Sequence, residues 1–540
     1  MNFITGFNRN QAVLVAQTYD ELISQNNVVR FIDLFVNGLK VTEYGFRDVS
    51  QNVNGRPPFH PKDLLKLYLH GYLNRIRSSR ALEKECKRNI ELIWLLKGLV
   101  PDHNTISNFR RDNPMGIKKV FRATVDLAKN YDLIGGILLA GDGTKLRAQN
   151  SKKNNYNQKK IDRHIAYIQN KLEEYTQALA QADNDKISDD KEKSKEDRTS
   201  QQAEIQTKID KHNKHLKRYQ EIEKQLQDTG EKQVSTSDPE ARQLVIRGVV
   251  TEVCYNIQST VDAKNKLPID YQVTNQNDKQ AMTDMVTEAI DIVGNSTFDA
   301  VFDKGYYTAE QIHNTQQTGV TTHVCIPNPA SNAPDPAYNV SEFAYDKKLD
   351  QYTCPAGETL QSNGNWYHKR VYRVKQYKTK NCKRCPVKDS CTKAKYQRII
   401  ERHEFAEALE KNKENINQNP EIYAQRQSIV EHPFGTMKRQ WGFDYIITKK
   451  SMKRASADVG FIFIAYNLRR IINILTIEKL LELLASSYSQ IAINLVSESL
   501  KRIYASLNPP KITLLRNALE LFDFLLCTTF TKNTRPTAGF

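Results

Sequence analysis

The stretch Ile137-Leu138-Leu139-Ala140-Gly141-Asp142-Gly143-Thr144-Lys145 organises the reading of the whole chain. An apolar run of strand length carries a single carboxylate to its end, then breaks on Gly143 into polar, basic sequence. Two later stretches echo it. Phe298-Asp299-Ala300-Val301-Phe302-Asp303 again runs an apolar strand into one Asp, followed by the Gly305 turn. Ile429-Val430-Glu431-His432-Pro433 sets a third carboxylate at the head of a basic amphipathic segment that includes Lys438. Carboxylates brought together by a fold repel one another, so strands ending in acids lose stability unless a cation sits among them. Three hard oxygen donors from separate elements suit a pair of Mg²⁺ (or Mn²⁺) ions, with Asp142 bridging and Asp303 and Glu431 each holding one. A lone strand-end Asp before Gly is ordinarily a turn residue. Three in order, in a basic α/β chain, reverse that reading.

The bulk composition agrees. At 540 residues the chain has room for two to four domains, and its net charge of +17 favours a polyanionic partner, DNA or RNA, before a membrane. Met1-Asn2-Phe3-Ile4 leads straight into polar residues, without a secretory pattern. The apolar run from Val459 to Leu475 is interrupted by Asn467-Leu468-Arg469-Arg470 and does not suit a bilayer span. Eight cysteines are few for a disulfide framework of this length. A cytoplasmic protein with no membrane partner is expected.

Residues 1–130 read as helical, with candidate helices over Val28–Leu39, Pro61–Ile76 and Ala81–Arg88, the last N-capped by Ser78-Ser79, and a fourth from Asn104. Between 51 and 130 there are 16 Lys and Arg against 7 Asp and Glu, including Arg110-Arg111. Short helices with surplus positive charge suggest a helix-turn-helix-like DNA-binding module. After Asp142 two heptad seams follow one another. Ile161, Ile165, Ile168, Leu172, Tyr175 and Leu179 form the first. Ile205, Ile209, Leu216, Tyr219 and Leu226 form the second, with His212 and Glu223 at core positions. The polar stretch from Asp183 to Ser200 between them reads as an exposed tip, giving an antiparallel helical hairpin. Alternation then marks strands over Val253–Ala263 and Leu267–Thr274, and two more strands end at Asp303 and Ile326, separated by helices. With the opening strand that makes five, three in meander order and two helix-linked, which fits a mixed α/β sheet.

Cys354, Cys382, Cys385 and Cys391 include one CxxC and two outlying thiols, a set consistent with a tetrahedral Zn²⁺ site. Around them, from Trp366 to Arg402, 13 Lys and Arg stand against two acids and are interleaved with Trp366, Tyr367, Tyr372, Tyr377 and Tyr396. That mixture suits a surface tracking a nucleic-acid backbone. The other cysteines (Cys86, Cys254, Cys325, Cys527) read as core.

On a regular helix Lys438 lies two turns beyond Glu431 and roughly 20° round, so both can face one phosphate. Arg426 lies roughly 140° away from Glu431, which would turn it aside. Pro433 belongs in a first turn, so the helix is expected to start near Val430, with Arg426 on the preceding segment.

With these residues in hand, the chain resembles a bacterial insertion-sequence transposase of the DDE class. Gly55-Arg56-Pro57-Pro58-Phe59-His60-Pro61, with Pro101-Asp102-His103-Asn104-Thr105-Ile106-Ser107-Asn108-Phe109-Arg110-Arg111, resembles the helical domain preceding such cores. The contexts of Asp142 and Asp303 are similar to the family's first two catalytic acids. Tyr423-x2-Arg426-x4-Glu431-x6-Lys438 resembles a Tyr-Arg-Glu-Lys signature spaced two, three and six, with the middle interval one residue longer here. The resemblance implies an RNase H-like five-stranded mixed sheet with flanking helices. The helical DNA-binding domain would occupy 1–130 and the catalytic core 131–327 and 421–475. The helical hairpin (155–232) and the Cys-rich basic segment (328–420) would be insertions, and 476–540 a helical tail. It further implies Mg²⁺-dependent DNA cleavage and strand transfer by Asp142, Asp303 and Glu431, on element ends and target held by a homodimer or higher oligomer. Lys438, Arg426, Tyr423, Lys145, Arg110 and Arg111 are the candidate DNA or phosphate contacts, and Trp441 is a candidate to stack on an unpaired base or to sit in the core. A nuclease without strand transfer would use the same acids, and a DNA-binding protein retaining the fold would need none of them.

Overall fold

The computed structural model describes residues 18–46, 57–184, 195–247, 250–327, 333–369, 371–448 and 450–486. Helices α1 (Val28–Gly38), α2 (Pro61–Leu73), α3 (Ser79–Cys86), α4 (Ile90–Leu95), α5 (His103–Asp112) and α6 (Pro114–Asn130) come first. Sequence periodicity anticipates four of them. The short α4 and the long α6, which starts on Pro114 directly after α5, are additional. Pro61 fixes the first turn of α2, and His60 Nδ1 accepts from the Lys62 amide as its cap. Every residue of α2 from Leu64 to Leu73 is buried, so this helix runs through the bundle and offers no free face.

The central sheet contains six strands, one more than the sequence suggests. They are β1 (Leu138–Arg147), β4 (Arg242–Arg247), β5 (Val250–Asp262), β6 (Leu267–Thr274), β7 (Asp299–Phe302) and β8 (Thr321–Val324), with β2 (Asn155–Tyr156) and β3 (Val234–Ser235) forming a separate ribbon. The order is β4-β5-β1-β7-β8, with β6 also on β5. Strand β5 is antiparallel to β1, β4 and β6, whereas β1, β7 and β8 run parallel. The additional strand is β4, which pairs with the N-terminal end of β5. Strand β1 does not break at Gly143. It continues to Arg147 because Gly143 pairs with Gln258 and the ladder to β5 runs on to Cys254. Helices α9 (Met282–Val293) and α10 (Ala309–Gln317) link the parallel strands.

Between β2 and β3 stands the hairpin of α7 (Gln158–Asn184) and α8 (Lys195–Thr229). Its base has a small core of its own, made of Tyr156, Ile161, Ile222, Leu226 and Val234. Ile222, not the neighbouring Glu223, is the buried residue there, while Glu223 accepts from Gln158 at the surface. Residues 185–194 of the expected tip lie outside the described residues.

A second, five-stranded antiparallel sheet is built from β9 (Ala344–Asp346), β10 (Gln351–Thr353), β11 (Thr359–His368), β12 (Arg373–Lys378) and β13 (Ile400–His403). The short α11 (Lys388–Cys391) precedes β13. Helix α12 (Ala406–Gln418) then covers the edge of β8. Asn412 donates to the Val324 carbonyl and accepts its amide, satisfying an otherwise open strand edge. Helices α13 (Pro420–Gly435) and α14 (Met452–Leu475) complete the chain's main body.

Helix α14 is buried along most of its length and joins the N-terminal helices to the sheet in one continuous core. Tyr68 stacks on Phe461 with centroids 4.6 Å apart, and Phe463 packs on Tyr271 of β6. At its start Asp458, fully buried, receives Arg77 at 2.6 Å and the Tyr72 hydroxyl, with Arg110 3.6 Å away. Burial alone would raise this carboxyl, but Arg77 and Arg110 outweigh it and hold the carboxyl below its ordinary range. Among the described residues no single helix is long and apolar enough to cross a membrane. Cys527 and the apolar segment Leu514–Leu526 lie outside the described residues, as do Gly55 and Arg56.

Candidate active site

Asp142 sits in the middle of β1. The parallel register matches Leu138 with Asp299 and Ala140 with Val301, so two residues further on Asp142 stands beside Asp303. Two glycines make this approach possible. A Cβ on Gly141 would fall 2.0 Å from the Phe302 ring, and one on Gly143 would fall 2.5 Å from an Asp278 oxygen. Asp303 follows β7 and accepts the Gly305 amide at 2.7 Å, which turns the chain back and points the carboxylate at the strand ends.

Successive strand residues face opposite sides of the sheet. Asp142 shares its face with Ala140, which packs against Ile429 and Val430 of α13. Helix α13 begins at Pro420, not near Val430, and it passes through Pro433 before a wide π turn over Thr436–Gln440. Arg426, Ile429, Val430 and Pro433 therefore form one stripe against the sheet. Arg426 is not turned away: its Nη1 lies 3.6 Å from Asp142 Oδ2. The helical count separates the two residues as expected, but Arg426 is the one on the sheet-facing stripe and Glu431 the one turned toward solvent. Tyr423, one turn earlier, is half-buried, and its hydroxyl is pushed up to about 12 by burial and by its contact with Cys325. Cys325 is accordingly half-exposed at the end of β8, while Cys86 and Cys254 are buried.

Glu431 lies beside that stripe, exposed, and accepts from Gln427 at 2.9 Å. It lines a cleft of about 420 Å³ with Thr144, Lys145, Arg147, Lys438 and Arg439. Lys438 crosses from the π turn to β1, donating to the Thr144 hydroxyl at 2.9 Å and the Lys145 carbonyl at 3.1 Å. The cleft wall thus continues the strand that bears Asp142.

A fourth acid was not legible in the sequence. Asp278, in the turn between β6 and α9, accepts from Asn256 and Gln258 of β5, each at 2.7 Å, and pairs with Lys145 at 3.4 Å. Neither a strand end nor a motif marks it. The one hint of it is the amide pair Asn256 and Gln258, both buried on β5. Burial raises the Asp142 carboxyl to about 6; Arg426 and the Gly143 amide oppose the rise, and the carboxylates of Asp303 and Asp278 add to it. This donor set has the chemistry of a hard-cation site: oxygen ligands, clustered carboxylates and, in Asp142, a carboxyl that stays above its ordinary range despite Arg426. As they stand, no three Asp, Glu, His or Cys side chains among the described residues are drawn in closely enough to cage an ion.

The remaining candidates are dispersed. Arg110 is buried, bonded to the Tyr72 hydroxyl and the Arg77 carbonyl, so the phosphate contact expected of it is turned inward by α14. Arg111 is exposed and pairs with Asp112 at 2.6 Å. Trp441 packs on Phe443 and Tyr466, and its outer edge lines a second cleft of about 610 Å³ with Arg75, Arg469 and Arg470. Cys354, Cys382, Cys385 and Cys391 ring one small cavity beside the second sheet. Burial raises the Cys391 thiol, Arg398 opposes it, and the other three thiols add to the rise.

Residues 17–112 match the family described as a transposase domain (DUF772), and residues 353–472 match a transposase DDE domain. The second match contains Arg426, Glu431 and Lys438, while Asp142, Asp278 and Asp303 precede it. No curated protein and no solved structure matches the chain. The chain therefore carries a transposase domain toward its N-terminal end and a DDE domain toward its C-terminal end, the domain content of an insertion-sequence DDE transposase.

Proposed function

We propose that this transposase cuts and joins DNA with the carboxylates of Asp142, Asp303 and Glu431, on an RNase H-like sheet, the bound ions drawing Glu431 in toward the other two. The observation that carries the reading is the register of β1 and β7, which sets Asp142 beside Asp303 beneath the helix that bears Glu431. Divalent ions, Mg²⁺ or Mn²⁺, would be held by Asp142, Asp303 and Glu431, and when bound they supply activation of the attacking oxygen and stabilisation of the leaving oxygen. The protein's own side chains do the rest. Arg426 neutralises Asp142 in the absence of cation and is placed to meet a phosphate oxygen once the carboxylate is otherwise engaged. Lys438, Lys145, Arg147 and Arg439 make the cleft wall a cationic track for a DNA strand. Tyr423 keeps its proton at neutral pH and can donate to the strand.

The proposed partners are double-stranded element ends and target DNA, bound by at least two copies of the chain. The same reading divides the chain into an N-terminal helical domain, a core interrupted by the hairpin and the Cys-rich segment, and a C-terminal tail. A duplex carrying the element end, incubated with Mg²⁺ or Mn²⁺, tests it. Wild-type protein is expected to nick or cut at the end and to yield joined product with target DNA. Asp303→Ala is expected to lower both by at least about a hundredfold while binding the duplex as before. Cleavage without joined product would make the protein a nuclease, and full activity in Asp303→Ala would remove the acids from the chemistry.

A further inference from the structure

The Cys-rich segment has too little core to hold its shape. Among the described residues, its apolar cluster consists of Phe343, Tyr352, Leu360, Tyr377 and Ile400, beneath the five strands between Ala344 and His403. Modules of this size ordinarily need a disulfide or a structural metal in addition. All four cysteines here are free.

Two backbone turns carry three of the thiols to the wall of one cavity. In the first, the Gly357 amide donates to the Cys354 carbonyl at 2.8 Å, and the Glu358 amide donates to Cys354 Sγ at 3.3 Å. Gly357 has φ +84°, and a side chain there would meet open space, so the glycine serves the turn's backbone conformation and not packing. In the second, the Cys385 amide donates to the Cys382 carbonyl, and the Lys388 amide to that of Cys385. An amide directed at sulfur stabilises a thiolate over a thiol. Asn381, next to Cys382, donates to Glu358 at 2.6 Å and ties the turns together. Helix α11 then delivers Cys391 to the same cavity, whose volume is about 30 Å³, the room of a single water-sized occupant. Arg398 also lines the cavity, and its buried Nε has no hydrogen-bond partner among the described residues.

We propose that Cys354, Cys382, Cys385 and Cys391 bind one structural Zn²⁺, with Arg398 offsetting the negative charge of the tetrathiolate. The thiols ring the cavity without yet closing on a point, and the ion draws them inward to bonds of about 2.3 Å. Each sulfur gives up its proton on binding, so uptake weakens with acid. With all four positions taken by protein there is no open site for water or substrate, which makes the ion a fastener of the basic sheet and not a catalyst.

Full-length protein, purified from zinc-supplemented cells without chelator, tests this by elemental analysis. One zinc per chain is expected. Exchange into Co²⁺ is expected to give thiolate charge-transfer and tetrahedral ligand-field absorption. Cys385→Ser should lose most of the bound metal, and Cys254→Ser, altered at a buried thiol elsewhere, should keep it. Misfolding of a variant is bypassed on the wild type, where chelation should expose the four named thiols to a thiol reagent. A wild-type chain without zinc whose four thiols already react freely, or undiminished zinc in Cys385→Ser, would overturn the assignment. Neither readout involves DNA, so failure here leaves the proposed cleavage chemistry untouched, and the converse holds.

Discussion

Gly141 and Asp142 show how closely one residue can bind local packing to chemistry. Alanine at 141 has no room, because its Cβ would overlap the Phe302 ring from the neighbouring strand. Relief requires the ring, and with it the start of the Asp303 turn, to move away from β1. Overpacking of this kind costs about 1–3 kcal/mol. Gly141→Ala is therefore expected to lower the thermal midpoint modestly and to lower cleavage far more than the stability loss explains, when both are measured on the same preparation. Asp142 permits a second prediction, in chelator. Its folded carboxyl titrates at about 6, above its ordinary value, so the folded state holds the proton more tightly than the unfolded chain. That contribution to stability is present below pH about 4 and is lost as pH rises through about 6. Asp142→Asn does not titrate. Its stability relative to wild type should rise across that window by at most about 3 kcal/mol, in urea unfolding at several pH values. A difference independent of pH would refute the assignment.

At the scale of elements, the hairpin makes the sharpest case. Its seam was readable because apolar residues recur at heptad spacing, but the register slipped by one near its base. Glu223 fits the repeat, whereas Ile222 is what the β2–β3 ribbon and Tyr156 require. That small core is separate from the main one, and the ribbon closes the base through Asn155–Ser235 and Tyr156–Val234 pairs. Replacing residues 158–232 by a short Gly/Ser loop should keep the cooperative unfolding of the remainder, with a midpoint within a few degrees, by calorimetry; loss of the transition would show that the hairpin supports the core. Helix α13 was harder to read. Pro433 argues locally for a helix start, yet Pro420 already fills that role, and the π turn after Gly435 absorbs the later strain. Asp278 was hidden for a different reason. Its position depends on Asn256 and Gln258, whose partner is distant in the chain until β5 and β6 pair. Strand-end acids announce themselves by pattern; a turn carboxylate held by side chains does not.

Across the whole molecule, the N-terminal helices and the sheet share a core and a buried ionic knot, which bears on how the protein unfolds. Surplus Lys and Arg among these helices suggest a helix-turn-helix-like DNA-binding module. Two of those arginines, Arg77 and Arg110, point inward to Asp458 of α14, more than three hundred residues away in the chain. Removing Asp458 leaves both guanidiniums buried and uncompensated, a loss of about 3–5 kcal/mol. Because one core cluster takes in residues from Ile23 to Leu484, that loss should fall on the whole and not on one part. Asp458→Ala is thus expected to lower a single calorimetric transition, with tryptophan fluorescence and helical circular dichroism shifting together. Two separated transitions would show that the helical bundle melts on its own. The pH dependence has the sign opposite to that of Asp142. The Asp458 carboxyl is held below its ordinary range, so its contribution is present above the unfolded pKa and is lost as acid titrates the folded carboxyl. Wild-type protein should accordingly lose stability in acid more steeply than Asp458→Asn, in which no proton can be taken up. Combining Asp458→Leu with Arg77→Met and Arg110→Met should recover much of the single-variant loss, because an apolar filling no longer strands a charge.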